Sequence, residues 1–262
     1  KNANIIQVDI NPDRIGLTKK VTVGISGDAK LVAQQIFEKL SSNAGDKDRQ
    51  ERKDLIHQTK SAWLQKLSSL DHEEDDEGTV WNKEARERDK DRMSPRKAWR
   101  AIQAGMPQDA IISSDIGNNC AIGNAYPTFE KPRKYLAPGL FGPCGYGFPS
   151  ILGAKIGCPD TPVIGFAGDG AFGISMNEMS SCAREEWPAI SMVIFRNYQW
   201  GAEKRNTTLW FDNNFIGTEL DPELSYAKVA DACGLKGVTV KTMEETTKAI
   251  KQSCEDQKTG IT

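Results

Sequence analysis

Histidine is nearly absent: the 262 residues contain two, His57 and His72, both in a charge-rich stretch away from any apolar strand. Histidine-based acid–base, triad and zinc chemistry therefore has little to work with. The six cysteines, at 120, 144, 158, 182, 233 and 254, are widely spaced, and neither a C-x-x-C pair nor a neighbouring histidine completes a zinc set. They read as reduced cytosolic thiols, which predicts a cytoplasmic protein. Charge of one sign is missing too, with 34 Lys+Arg against 36 Asp+Glu, so dedicated binding to a phosphate backbone is not expected. No apolar run approaches the roughly 20 residues that a membrane-spanning helix needs. The chain opens at Lys1-Asn-Ala-Asn without initiator methionine or signal peptide and stops at Lys258-Thr-Gly-Ile-Thr262, where a strand is about to start. The expectation is a fragment of a longer protein.

What is there is enough apolar residue for one large or two small domains. Residues 1–40 read as the last part of an α/β domain: strands at Asn4-Ile-Ile-Gln-Val-Asp9 and Val21-Thr-Val-Gly-Ile25, then a helix from Ala29 to Leu40 with Leu31, Val32, Ile36, Phe37 and Leu40 on one face. Residues 41–93 turn polar, with an amphipathic helix around Leu55 to Leu70. In the 22 residues from Asp71 to Arg92, ten are acidic and five basic. That stretch buries little core and is expected to be a solvated helical or flexible linker, a charge patch for a partner being the sharper alternative.

Residues 94–262 form a second α/β unit. Ser94-Pro95 opens a helix to Ala104, and strands follow at Ala110–Asp115, Pro162–Ala167 and Ile190–Phe195. Helices are predicted near Pro149 to Ile156, from Asp169 to about Glu185, from Leu224 to Cys233 and from Met243 to Ser253, with an irregular segment from Arg196 to Leu220. Alternation of apolar strands with helices predicts a parallel sheet flanked by helices, with ligands at the carboxyl ends of its strands. Trp63, Trp81 and Trp99 are expected to pack locally.

Gly168-Asp169-Gly170-Ala171-Phe172-Gly173 follows a strand, opens a helix and matches G-x-G-x-x-G. Taken alone this is either an ordinary turn or a dinucleotide fingerprint. The carboxylate of Asp169 discriminates: it would meet a bare pyrophosphate as like charge, at a cost of several kcal/mol if desolvated. A cation must stand between them or the nicotinamide reading fails. The next strand ends in Arg196-Asn197-Tyr198-Gln199 rather than in an acid for ribose hydroxyls. Adjacent strand ends lie roughly 5 Å apart, so Asp169, Asn197 and a backbone carbonyl, that of Gln199, can share one Mg²⁺ together with substrate phosphates.

Gly168-Asp169-Gly170, a spacer of 26 residues and Asn197 resemble the thiamine-diphosphate motif of the acetolactate synthase and pyruvate oxidase superfamily. The resemblance runs from about Ser94 to the end, and residues 1–30 resemble the tail of that superfamily's central domain. It implies thiamine diphosphate and Mg²⁺ as cofactors, with Asp169, Asn197 and Gln199 on the metal. It also implies that Asp115-Ile-Gly117-Asn118-Asn119 contacts the diphosphate, that Gly142-Pro-Cys144-Gly-Tyr-Gly-Phe-Pro149 holds the aminopyrimidine and the cofactor bend, and that Gly168, Gly170, Ala171 and Tyr198 line the cofactor. Cys144 stands where the superfamily often carries a bulky apolar residue.

Within the superfamily, Phe195–Asn206 followed by Leu209-Trp-Phe211 is most similar to the branch that converts sulfoacetaldehyde and phosphate to acetyl phosphate and sulfite. The resemblance implies that no catalytic side chain lies in these residues, the activating glutamate belonging to an N-terminal domain outside them. It further implies a homodimer or homotetramer with the site between subunits. Lys204 and Arg205, and more distantly Arg133 and Lys134, are the candidate cations for the sulfonate and phosphate; Tyr198 and Trp200 are candidate pocket walls. Three alternatives stay open: an acetolactate synthase-like or decarboxylating relative, a nicotinamide-dependent oxidoreductase, and a non-catalytic cofactor-binding or assembly subunit.

Overall fold

The structure, a computed structural model, describes residues 3–41, 49–72, 92–129, 131–260 and 262. The acid-rich stretch 73–91, Trp81 and residues 42–48 lie outside the described residues. The chain divides into two units, Lys1–Glu73 and Glu74–Thr262.

In the first unit β1 (Ile6–Asp9) runs parallel to β2 (Val23–Ser26), Ile6 opposite Val23 and Asp9 opposite Ser26. Helix α1 (Ala29–Ser41) starts where Asp28 Oδ1 accepts the backbone N–H groups of Lys30 and Leu31 at 2.9 and 3.0 Å. Its apolar face is open, with Leu31, Phe37 and Leu40 all more than half exposed. Helix α2 (Gln50–His72) begins five residues before the predicted start at Leu55.

The second unit is built on four parallel strands in the order β4-β3-β5-β6: β3 (Ile111–Ser114), β4 (Tyr135–Leu136), β5 (Val163–Gly168) and β6 (Ser191–Phe195). Val163 to Ala167 are all buried, as a strand covered on both faces must be, which is why the run is continuously apolar. Helix α3 (Pro95–Gly105) is capped by Ser94 Oγ, which accepts from Lys97 N at 3.2 Å. Trp99 on this helix does not pack locally as predicted. It is 1% exposed and its ring lies 4.6 Å from that of Phe166 on β5 and 5.5 Å from that of Phe195 on β6. Its helix presents it to the sheet, and the large indole reaches aromatic rings on both strands.

Helix α4 (Asn118–Gly123) and strand β4 are too short to carry a periodic signal and were not predicted. Helix α5 (Gly147–Gly157) starts two residues early and packs on β3 and β5, Ser150 Oγ meeting Ser113 Oγ at 2.6 Å. The long helix predicted from Asp169 is broken. Helix α6 (Asp169–Ser175) ends as Ser175 leaves helical geometry (φ −111°, ψ 13°), a 3₁₀ turn covers Met176–Glu178, and α7 spans Met179–Cys182; Ser and Asn compete for local backbone groups here, Ser180 Oγ donating to Asn177 O. The segment predicted as irregular contains α8 (Gly201–Trp210), a helix without an apolar stripe. Two capped helices follow: α9 (Tyr226–Ala232) behind Ser225, and α10 (Met243–Asp256) behind a Thr242/Glu245 capping box. Helix α10 lies on α3, where Thr247 Oγ1 donates to Ala101 O at 3.0 Å and a Cβ on Gly105 would stand 2.7 Å from Thr247 O. In the 3₁₀ turn after α10, the buried Gln257 amide accepts from Val163 N (3.0 Å) and donates to Val163 O (2.8 Å) and Ser191 Oγ (2.7 Å), closing the amino ends of β5 and β6.

Candidate functional site

Strand β5 passes into α6 without an intervening loop, so Asp169 stands at the carboxyl end of the sheet, 2% exposed. One carboxylate oxygen, Oδ2, accepts the N–H groups of Asn197 (3.1 Å) and Tyr198 (2.6 Å), just past the end of β6. The other, Oδ1, accepts Gly170 N at 3.1 Å. The main-chain oxygen of Asp169 takes the Tyr226 hydroxyl at 2.9 Å, tying α9 to the start of α6. Burial pushes the Asp169 carboxyl above its usual range, against the pull of the N–H groups of Tyr198, Gly170 and Asn197.

The Asn197 carboxamide reaches into the same space. Its inner terminal atom lies 3.1 Å from Asp169 Oδ1 and 2.9 Å from Gln199 O. With nitrogen there, the amide bridges the two acceptors itself; with oxygen there, it accepts from Gln199 N at 3.3 Å and three oxygens face one another. A hard cation resolves that second arrangement, and one carboxylate, one amide oxygen and one carbonyl are a donor set that Mg²⁺ accepts with room for water and phosphate. Among the described residues no group of three His, Cys, Asp or Glu is placed to hold a metal, and none is needed for this set. The structure thus brings Asp169, Asn197 and Gln199 together.

Beside them glycines and side-chain amides form a cradle. Asn119 is buried and its Nδ2 has no partner, while Cβ atoms built on Gly117 and Gly168 would stand 3.6 and 3.8 Å from Asn119 Oδ1. Asn118 Nδ2 and Asn197 Nδ2 both crowd Gly201, at 3.1 and 2.7 Å from where its Cβ would be. An orphaned amide donor with a glycine cradle fits a ligand of acceptor oxygens such as a diphosphate. Gly170 is glycine for a further reason that the sequence reading missed: its Cβ would lie 2.8 Å from the Trp200 indole. Ala171 is buried in the same turn of α6.

Asp115, fully buried at the end of β3, was passed over as part of a longer loop. Its Oδ1 accepts Ile116 N (2.9 Å) and Gly145 N (3.0 Å) and its Oδ2 accepts Gly147 N (2.7 Å), so it pins the 142–147 loop, whose Gly142 and Gly145 have φ of 67° and 85°. Its signal was an acid closing a strand, Ile111-Ile-Ser-Ser114. Cys144 is half-buried in that loop; burial first, then the carboxylates of Asp115 and Glu203, push its thiol up.

The candidate anion-binding cations are scattered. Lys204 Nζ pairs with Glu219 and lies 5.0 Å over the Phe215 ring. Arg205 and Arg133 are exposed. Lys134 Nζ donates to Asp109 O at 2.7 Å, before β3 and so at the opposite end of the sheet from Asp169. Trp200 covers Gly170, and the Tyr198 ring lies under two guanidinium groups, those of Arg92 and Arg196.

No helix of the described residues is long and apolar enough to cross a membrane. Across all 262 residues the chain is 76% identical to a probable sulfoacetaldehyde acetyltransferase of Rhizobium meliloti (strain 1021) and 69% identical to a sulfoacetaldehyde acetyltransferase of Roseovarius nubinhibens, covering 44% and 43% of those proteins. The chain therefore spans less than half the length of the curated relatives it matches. A probable acetolactate synthase large subunit of Methanococcus aeolicus is 28% identical over 96% of this chain and 41% of its own. Among solved structures, the Rhodococcus jostii RHA1 thiamine diphosphate-dependent 4-hydroxybenzoylformate decarboxylase superposes with a TM-score of 0.58 at 25% identity, over 63% of this chain and 31% of that one. Residues 115–261 match the family described as thiamine pyrophosphate enzyme, C-terminal TPP binding domain. That match sets the nicotinamide alternative aside, and the chain belongs to the thiamine pyrophosphate enzyme family.

Proposed function

We propose that the chain forms the diphosphate- and Mg²⁺-binding half of an enzyme that converts sulfoacetaldehyde and phosphate to acetyl phosphate and sulfite. Supporting the substrate is the 76% and 69% identity, over the whole chain, to proteins named sulfoacetaldehyde acetyltransferase. Supporting the cofactor is the convergence of Asp169, Asn197 and Gln199 O beside the unpartnered Asn119 amide.

Thiamine diphosphate, when bound, supplies the carbanion chemistry that the side chains here lack. The work of these residues is positional and electrostatic. Asp169, Asn197 and Gln199 O would hold the cation that neutralises the diphosphate. Asn118, Asn119, Gly117, Gly168 and the N-terminal turn of α6 would receive its oxygens. Asp115 pins the 142–147 loop, which carries Cys144 and would hold the aminopyrimidine side of the cofactor. No side chain here is assigned proton transfer; the activating glutamate belongs to the part of the protein beyond these residues, and the site forms between subunits of a cytoplasmic homodimer or homotetramer. Arg205 and Lys204 remain the candidates for the substrate anions, Lys204 only by exchanging its partner Glu219.

The test is made on the full-length protein. Sulfite and acetyl phosphate should appear together from sulfoacetaldehyde and phosphate, and Asp169→Ala should abolish retention of thiamine diphosphate in Mg²⁺. Unchanged cofactor affinity of that variant by calorimetry refutes the metal assignment. Acetolactate formed from pyruvate, with no sulfite released, refutes the substrate.

A further inference from the structure

Four residues other than glycine adopt positive φ among the described residues, and one of them, Tyr198 at φ 62°, stands between the two metal-ligand positions of the β6 end. Asn, Asp or Gly takes the left-handed region at little cost; a bulky aromatic there is an outlier that its surroundings must enforce. The surroundings are visible. The guanidinium of Arg92 lies 4.6 Å and that of Arg196 4.4 Å from the centre of the Tyr198 ring, and Arg196 is itself fixed by an Nη2 donation to Pro222 O at 2.7 Å. The N–H groups of Asn197 and Tyr198, which precede the turn, point at Asp169 Oδ2. The left-handed turn that follows doubles the chain back, so that Gln199 O lies 2.9 Å from the inner atom of the Asn197 amide, which is itself 3.1 Å from Asp169 Oδ1.

We infer that Tyr198 is a positioning residue, whose ring, stacked by Arg92 and Arg196, holds the backbone turn that brings Gln199 O back beside the Asn197 amide, where it would complete the metal's ligand set. This differs from a ring that lines the cofactor or walls the substrate, and it rests on the metal reading proposed above. An extended backbone at Tyr198 would carry Gln199 O away from the Asn197 amide and remove the carbonyl from the ligand set.

Mn²⁺ is the probe, its affinity for the full-length protein with thiamine diphosphate read from the free-ion electron paramagnetic resonance signal, with thermal unfolding followed alongside. Tyr198→Ala, which keeps the conformational cost and loses the ring, should raise the Mn²⁺ Kd about tenfold or more. Tyr198→Phe, which keeps the ring, should stay within about twofold, and Tyr198→Gly, which adopts the turn freely, should fall between Phe and Ala. Arg196→Ala removes one stacking partner without altering the turn's sequence and should weaken Mn²⁺ by about threefold, which keeps the test available if Tyr198→Ala does not fold. Ala, or Arg196→Ala, binding Mn²⁺ as the wild type does while Asp169→Asn has lost it overturns the positioning role alone. So does a Phe variant as weak as Ala. Asp169→Asn with unchanged Mn²⁺ affinity overturns the metal site and the positioning role with it.

Discussion

Cys144 occupies a loop that glycine conformations and two bonds to Asp115 hold at the carboxyl end of the sheet. Its thiol is raised by burial and by the carboxylates of Asp115 and Glu203, so at neutral pH almost none of it is thiolate, the form that reacts. Alkylation by iodoacetamide at pH 7 should therefore reach exposed Cys158 before Cys144, and the Cys144 rate should rise about tenfold per pH unit through pH 9. Peptide mass spectrometry of a pH series checks both; a Cys144 rate that levels off below pH 8 refutes the environment described. At this scale the proposed metal ligands were legible because their logic is local: a carboxylate inside a phosphate fingerprint calls for a cation, and the next strand end supplies an amide. The partners of Tyr198 and Gly170 were not. Arg92 meets a ring 106 positions away in sequence and Trp200 meets Gly170 from the next strand's loop, contacts fixed by side-chain direction rather than by any spacing. Asp115 was named but its work was hidden, since two of its three donors arrive from a loop thirty residues on.

Among the elements, the turn after α10 does something strands usually do for one another. Gln257 bonds both the N–H and the C=O of Val163 and also Ser191 Oγ, all buried. Gln257→Leu keeps the volume and leaves the Val163 groups unsatisfied, which should cost about 2 kcal/mol and lower Tm by roughly 4–8 °C for a domain of this size. Denaturant titration with an unchanged midpoint refutes that role. The strand β5 was legible because burial on both faces makes a parallel strand apolar throughout, β3 and β6 because each carries a short apolar run (Ile111-Ile112 and Met192–Phe195), and α3 and α10 because their caps and apolar stripes agree. Helix α8 was not, because Gly-Ala-Glu-Lys-Arg-Asn-Thr-Thr-Leu-Trp carries no stripe, and β4, at two residues, exists through its pairing with β3. The break between α6 and α7 was missed because apolar residues continue across it while Ser175 turns the backbone.

At the scale of the second unit, α3 is the first element and α10 the last helix, and they close on each other at Gly105 and Thr247. Deleting residues from Lys241 onward should uncover Ile102 and the buried face of α3 and remove Gln257 from the sheet, so the full-length protein cut there should be digested within its 94–240 region under proteolysis that leaves the intact protein whole. Equal resistance of the two refutes the closure. The same joint sets a clock on synthesis. At roughly 5–20 residues per second the ribosome needs about 10–30 s to pass from α3 to Gln257, and through that interval the tryptophan-bearing helix and the amino ends of the sheet wait for partners not yet made. A nascent chain of this protein therefore passes that interval with the core of this unit open, so its yield in a cell depends on what shields the chain during that wait as well as on the stability of the finished fold.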